Sequence, residues 1–239
     1  MNIALIGYGK MGKEIEQIAL SRGHKIVLKV GSANAASYSV EELKKADVAI
    51  EFSTPEAAIS NIYKCFDAGV PVVVGTTGWL DKSDEVKQKC IEKNQTLFYA
   101  ANYSIGVNLF FRVNSYLAQL MNSYPDYNPK MEETHHVHKL DSPSGTAIAL
   151  ANKVVEKLER KLKWVNESAS TENELEIISK RIDEVPGTHT ITYGSDVDEI
   201  SITHTAYNRK GFASGAVIAA EWSKDKKGIF GMKDLIDNK

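Results

Sequence analysis

The chain is predicted to be an α/β protein: an N-terminal Rossmann-like parallel-sheet domain followed by an α+β domain with a mixed sheet. Three observations predict it. A glycine-rich turn, Gly7-Tyr8-Gly9-Lys10-Met11-Gly12, directly follows an apolar run at residues 2–6. Strand-like and helix-like stretches then alternate up to residue 104, the signature of βα units around a parallel sheet. Beyond that point strand-like segments follow one another without intervening helices, which favours mixed or antiparallel pairing.

Each element has a local reason. Residues 2–6 are apolar and read as a buried strand; a helix follows with Ile15, Ile18 and Ala19 at helical spacing and stops near Gly23-His24. Residues 26–30 read as the second strand. Ser39 with Glu42 three residues on is a capping-box pattern for a short helix. Residues 47–52 form a third strand. Pro55 opens the next helix at a first-turn position where its missing N–H is harmless, and Gly69 ends it. The β-branched run at 70–74 reads as a central strand buried on both faces. A helix at 83–93 and a strand at 96–100 complete this half. The second half is expected to hold helices at 106–121 and 146–158, a tyrosine-proline turn at 124–128, and strands at 130–138, 175–180, 188–193 and 199–206. A last helix spans 214–223, and the tail at 228–236 carries apolar residues regular enough to dock on the body.

The bulk properties narrow the function. The 239 residues are 43% hydrophobic with a formal net charge of −2, ordinary for a soluble protein and unlike a nucleic-acid surface. No apolar run reaches the roughly 20 residues that span a bilayer, and the apolar start is too short for a signal peptide. A cytoplasmic protein with no nucleic-acid or membrane partner is expected. Cys65 and Cys90 lack a Cys or His neighbour at metal-ligand spacing, so no metal is expected.

Two motifs carry chemistry. In the first, Gly7 permits the tight turn, Gly9 lets backbone approach a pyrophosphate, and Gly12 permits close helix–sheet contact, while amides at the helix start face the phosphates. The second strand ends in Val30-Gly31-Ser32-Ala33-Asn34, with no carboxylate to hold the adenosine ribose. Ser32 and Asn34 can donate to a 2′-phosphate and Lys10 or Lys29 can add charge, so NADPH and NADH both stay open. Ser53 and the Gly75-Thr76-Thr77-Gly78 loop end parallel strands on the ligand-binding edge, and Ala101-Asn102-Tyr103-Ser104 ends the next one.

The second motif is His135-His136-Val137-His138-Lys139-Leu140-Asp141-Ser142-Pro143-Ser144-Gly145-Thr146-Ala147. A helix start carrying Ser, Gly and Thr is an anion seat, and Lys139 adds a cation for a carboxylate or phosphate. Histidine suits proton transfer near neutral pH. His138 reads as structural, bonded to backbone, and Asp141 as orienting the turn or pairing with Lys139. The neighbouring lysine cation makes a metal the poorer account of the histidines.

On these residues the chain resembles the 4-hydroxy-tetrahydrodipicolinate (dihydrodipicolinate) reductase family of lysine and diaminopimelate biosynthesis. The matching string is His135-His136-x-x-Lys139-x-Asp141-x-Pro143-Ser144-Gly145-Thr146-Ala147, supported by the Gly7–Gly12 turn, Phe52-Ser53-Thr54-Pro55, the Gly75–Gly78 loop, Ala101–Asn108, Gly187–Thr190, His204, Arg209 and Phe212–Val217. The resemblance implies a dinucleotide-binding domain over 1–104, a substrate-binding and oligomerisation domain over 105–212, and C-terminal helices over 213–239 returning to the first. It implies reduction of a small cyclic dicarboxylate with NADPH or NADH, and a homotetramer. By it, His135 is the proton donor, and Lys139 binds substrate and assists catalysis. His136, Gly145 and Thr146 contact the substrate carboxylate. Gly7, Gly9, Lys10, Met11, Gly12, Ser32, Ser53, Gly75, Thr77, Ala101 and Tyr103 belong to the cofactor side, with Arg209 and Phe212 near it. The chain departs from the family pattern in lacking the acidic residue after the second strand, in Glu51 where Asp is common, and in Tyr103 where Phe is more usual. Aspartate or homoserine dehydrogenases share only the nucleotide half. A non-enzymatic NADPH sensor would bind dinucleotide without oxidising it, and a purely structural subunit leaves the histidines unexplained.

Overall fold

The computed structural model describes residues 1–208 and 210–237. The chain divides into two compact units, Met1–Ile105 with the segment from Lys210 onward, and Gly106–Arg209.

In the first unit the strands are β1 (Asn2–Ile6), β2 (Lys25–Val30), β3 (Val48–Glu51), β4 (Val72–Val74), β5 (Thr96–Tyr99) and β11 (Gly228–Phe230), the last numbered by its place in the whole chain. They form one parallel sheet in the order β11-β5-β4-β3-β1-β2. Helices α1 (Lys10–Ser21), α2 (Val40–Leu43), α3 (Pro55–Ala68) and α4 (Ser83–Glu92) connect them. Alternate strand residues feed two cores. Ala4, Ile6, Ala49, Val72 and Val74 pack against α2, α3 and α4 through Leu43, Ile62, Phe66 and Val86. Ile3, Leu5, Val48, Ile50 and Val73 pack on the other face against α1 and against α7 (Lys210–Ser223), which brings Ala213, Ala216, Val217 and Ala220. The expected capping box is present: Ser39 accepts from the Glu42 amide, and the Glu42 carboxylate accepts from the Ser39 amide. Gly69 stops α3 in the left-handed region at φ 71°, which only glycine adopts freely.

In the second unit the strands are β6 (Asn128–His135), β7 (Lys163–Val165), β8 (Glu174–Arg181), β9 (Gly187–Gly194) and β10 (Glu199–Ala206), in the order β10-β9-β6-β8-β7. β6 runs antiparallel to β9 and parallel to β8, so the sheet is mixed. Helices α5 (Ile105–Leu120) and α6 (Gly145–Lys157) supply Phe110, Ala118, Leu150, Ala151 and Val154 to its core, opposite Met131, Leu175, Ile177, Ile191 and Tyr193.

The differences from expectation are local. Helix α7 begins at Lys210 rather than 214, so Lys210, Gly211 and Phe212 belong to the first unit. The tail is not all helix: β11 pairs in parallel with β5 before α8 (Met232–Asp237), whose Met232 and Leu235 enter the α7 core. The 130–138 strand ends at His135, and residues 136–139 form a turn closed by the Lys139 amide on the His136 carbonyl. Both cysteines are free and buried. Among the described residues no helix is long and apolar enough to cross a membrane.

Candidate active site

In the first unit the cofactor candidates gather at the carboxyl edge of the parallel sheet. A cleft of about 520 Å³ is lined by Gly7, Gly9, Ser32, Ser53 and the α3 residues Asn61 and Lys64, among others. Beside it Met11, Ser53, Gly75 and Thr77 line a smaller recess of about 300 Å³. The glycines divide into two kinds. A Cβ on Gly7 would lie 2.0 Å from the Phe52 carbonyl oxygen, and one on Gly12 would lie 2.2 Å from the Gly7 oxygen. Those two are demanded by the fold. A Cβ on Gly9 would meet nothing within 4 Å, so its bare backbone faces open space, as a pyrophosphate cradle requires. Gly75 is packed on the Phe52 ring, with 2.1 Å left for a Cβ. Lys10 is exposed on the first turn of α1, Ala101 is exposed after β5, and Phe212 is half-buried on the first turn of α7. Arg209 lies outside the described residues.

The floor of the cleft is polar. Glu51 is fully buried and accepts from the Ser53 hydroxyl and amide and from Asn61 Nδ2, while Thr76 Oγ1 accepts from the Ser53 amide at 2.8 Å. Burial pushes the Glu51 carboxyl up, with these hydrogen bonds opposing it. Thr76 is thus committed to the fold, and Thr77 is exposed toward ligand space. Lys29 and Asn34, expected near a 2′-phosphate, have other partners. Lys29 pairs with Glu16 at 2.6 Å, and Asn34 bonds the Gly31 amide and the Lys29 carbonyl. Tyr103, expected on the cofactor side, turns its side chain into the core. It is 2% exposed, its hydroxyl donates to the Val74 carbonyl, and its ring packs on Phe52 and Phe98. Lys64 was not expected; its ammonium lies 4.0 Å from the Tyr38 ring centroid, and among the described residues it is the one charged side chain lining the cleft.

In the second unit the end of β6 and the start of α6 come together. Ser144 caps α6 by accepting from the Ala147 amide, leaving the Gly145 and Thr146 amides without intrahelical acceptors. Gly145 is exposed, with nothing within 4 Å of a would-be Cβ. Lys139 holds Asp141 through both carboxylate oxygens at 2.6 and 2.8 Å. His138 is not structural: its side chain is 73% exposed and lies 3.0 Å from Glu184.

His135 is buried, 6% exposed, in a cluster built by strand register. Glu133 and His135 share the inward face of β6 as i and i+2 residues. His189 stands opposite Glu133 on β9, and Arg181 stands opposite His135 on β8. The Glu133 carboxylate takes the Ser144 amide at 3.2 Å and Arg181 Nη2 at 3.0 Å on Oε1. Its Oε2 lies 3.4 Å from His135 Nε2 and 3.9 Å from His189 Nε2. His189 Nε2 also meets the Ser144 hydroxyl at 3.1 Å. Burial pushes His189 down to about 4 and lowers His135 as well, with Glu133 opposing both shifts. Burial also raises the Glu133 carboxyl, but hydrogen bonds from Ser144 and Ser179 and the Arg181 cation outweigh it and hold Glu133 below its usual range. Glu133, His135 and His189 present ligand-type atoms within 4.8 Å of one another. The same carboxylate also pairs with the Arg181 guanidinium at 3.0 Å. Glu133 was not singled out from sequence, and His189 only as part of the Gly187–Thr190 match; the available signal for Glu133 was a glutamate on the apolar face of a strand.

Comparison with known proteins agrees with both halves. The family model described as "Dihydrodipicolinate reductase, N-terminus" matches residues 1–103, and "Dihydrodipicolinate reductase, C-terminus" matches 106–236. The 4-hydroxy-tetrahydrodipicolinate reductase of Christiangramia forsetii is 49% identical over 238 residues, covering 100% of this chain and 98% of its own. That of Neisseria gonorrhoeae is 32% identical, covering 92% and 83%. A dipicolinate-bound dihydrodipicolinate reductase from a Paenisporosarcina species shares the fold with a TM-score of 0.79 at 24% identity, covering 97% of each chain. The chain belongs to the dihydrodipicolinate reductase family and is an NAD(P)H-dependent oxidoreductase of the lysine and diaminopimelate pathway.

Proposed function

We propose that the chain reduces 4-hydroxy-tetrahydrodipicolinate, or its dehydrated dihydrodipicolinate form, to tetrahydrodipicolinate. The observation that carries this reading is in the second unit: helix-start amides at Gly145 and Thr146 without intrahelical acceptors, preceded along the chain by Lys139, His136 and His135. A helix start beside a lysine seats a carboxylate, and an imidazole close by supplies a proton, which is what reduction of a conjugated cyclic dicarboxylate needs.

Bound NADPH or NADH supplies the hydride. In the first unit the Gly7–Gly12 turn and helix start would hold the pyrophosphate, and Ser53, Gly75 and Thr77, which line the smaller recess, would hold the nicotinamide end. Gly145 and Thr146 amides, with His136 and Lys139, bind and orient the substrate carboxylates. The hydroxylated form first loses water to give the conjugated ring; His135 then delivers the proton at the ring carbon next to the reduced one, and Lys139 offsets the negative charge that develops there. We further propose a homotetramer and a cytoplasmic location, the first to be checked by sedimentation.

Steady-state rates with enzymatically generated substrate and each cofactor test the reading. Oxidation of either cofactor dependent on that substrate is expected, and none with either would overturn it. His135→Gln should lower kcat at least about a hundredfold, the usual contribution of a general acid, while changing KM little. Turnover close to wild type would remove His135 from the proton-donor role.

A further inference from the structure

The proton-donor reading leaves a difficulty. His135 is buried among groups that disfavour its charged form: Arg181 on β8, His189 on β9 with His204 of β10 behind it, and His136 and Lys139 on the following turn. A donor that cannot hold its proton is no donor. One anion faces it, Glu133 on its own strand, two residues earlier.

Glu133 is arranged unlike a simple structural carboxylate. Its Oε1 accepts from the Ser144 amide and the Arg181 guanidinium. Its Oε2 is buried with no hydrogen-bond donor and is directed at the two imidazoles, and both ring nitrogens of His135 are likewise buried without partners. Unpaired buried polar atoms are costly, and several in one cluster mark a place where the fold holds its groups for another purpose. When His135 carries its second proton, the Glu133 carboxylate 3.4 Å from Nε2 is the opposite charge that favours that form. The ring is also held from the far side: a Cβ on Gly187 would come within 2.9 Å of His135 Cε1, so the backbone at the start of β9 is packed against it.

We propose that Glu133 is the positioning residue of this site: it keeps His135 oriented and able to carry its proton, and through the Ser144 amide it ties that proton to the helix start where the substrate carboxylate is seated. The inference rests on His135 being the proton donor. One buried carboxylate then serves both halves of the substrate site, one oxygen for the anion seat and one for the acid.

The test is a titration of the His135 imidazole by NMR in the ligand-free full chain, assigned by its absence in His135→Gln. In Glu133→Gln, which keeps an oxygen for the Ser144 amide and loses the charge, the His135 midpoint should fall by about one pH unit or more, the effect of removing an opposite charge at this distance. In parallel kcat should fall at least tenfold with KM within threefold, and the alkaline limb of the kcat profile should move to lower pH by the same amount. Glu133→Asp keeps the charge but withdraws it, so the midpoint should fall by a smaller amount and part of the activity should return. It remains informative if Glu133→Gln does not fold. A His135 midpoint unmoved in either folded variant, or a kcat limb unmoved where the midpoint shifts, overturns the proposal. If His135→Gln stays active while the Glu133 variants still shift the midpoint, the donor assignment is what has failed and the Glu133–His135 coupling stands.

Discussion

Acid should weaken this protein through His189, and the size of the effect follows from its place in the sheet. His189 is 5% exposed, opposite Glu133 in the β6–β9 ladder. Burial, with the nearby His135, His204 and Lys139, holds it at about 4 against 6.5 for a free histidine, Glu133 offsetting part of the drop. A depressed histidine value means that the unfolded chain takes up the proton first. The contribution is therefore fully present above pH 6.5 and is lost as pH falls from there toward 4. At roughly 1.4 kcal/mol for each pH unit, the loss at pH 4 is about 3 kcal/mol, a large share of an ordinary folding free energy. Urea denaturation followed by circular dichroism at pH 7, 6, 5 and 4 measures it. The wild type should lose about 3 kcal/mol more than His189→Gln across that range. Parallel stability curves for the two proteins would refute the reasoning.

The glycine turn separates fold from ligand. Gly7→Ala, with φ at +96° and the Phe52 carbonyl in the way, should cost at least about 3 kcal/mol in stability, whereas Gly9→Ala should keep its Tm and lose about tenfold or more in cofactor affinity by calorimetry. Lys64→Ala should raise KM for NADPH about tenfold and leave NADH unchanged, since a lysine paired to a phosphate contributes as a charged hydrogen bond. Gly145→Ala adds a methyl where nothing stands within 4 Å, so thermal melting should be unchanged while substrate KM rises and cofactor KM does not.

What could be read from sequence was what neighbours along the chain decide. The Ser39–Glu42 capping box, the Gly69 stop and the Gly7–Gly12 turn are short-range devices, and each stands where its residues demanded. The Ser144 cap is of the same kind. Strands β7 and β11 were missed because three residues carry no period of their own; they are strands only by pairing with β8 and β5. Glu133, His189 and Arg181 meet only through a register joining positions 133, 181 and 189, which composition does not encode. Tyr103 shows what a motif leaves open: a residue in a segment expected to face ligand can turn its side chain into the core.

The origin of α7 has a consequence for synthesis. The α1 side of the parallel sheet is closed by Ala213, Ala216, Val217, Ala220 and Leu235, all made more than a hundred residues after β5. As the chain leaves the ribosome, β1 to β5 emerge with α1 but with Ile3, Leu5, Val48, Ile50 and Val73 still lacking the α7 part of their cover, while the whole of Gly106–Arg209 is translated. The inserted unit can therefore reach its native state first, and the unit that begins the chain is the last to finish.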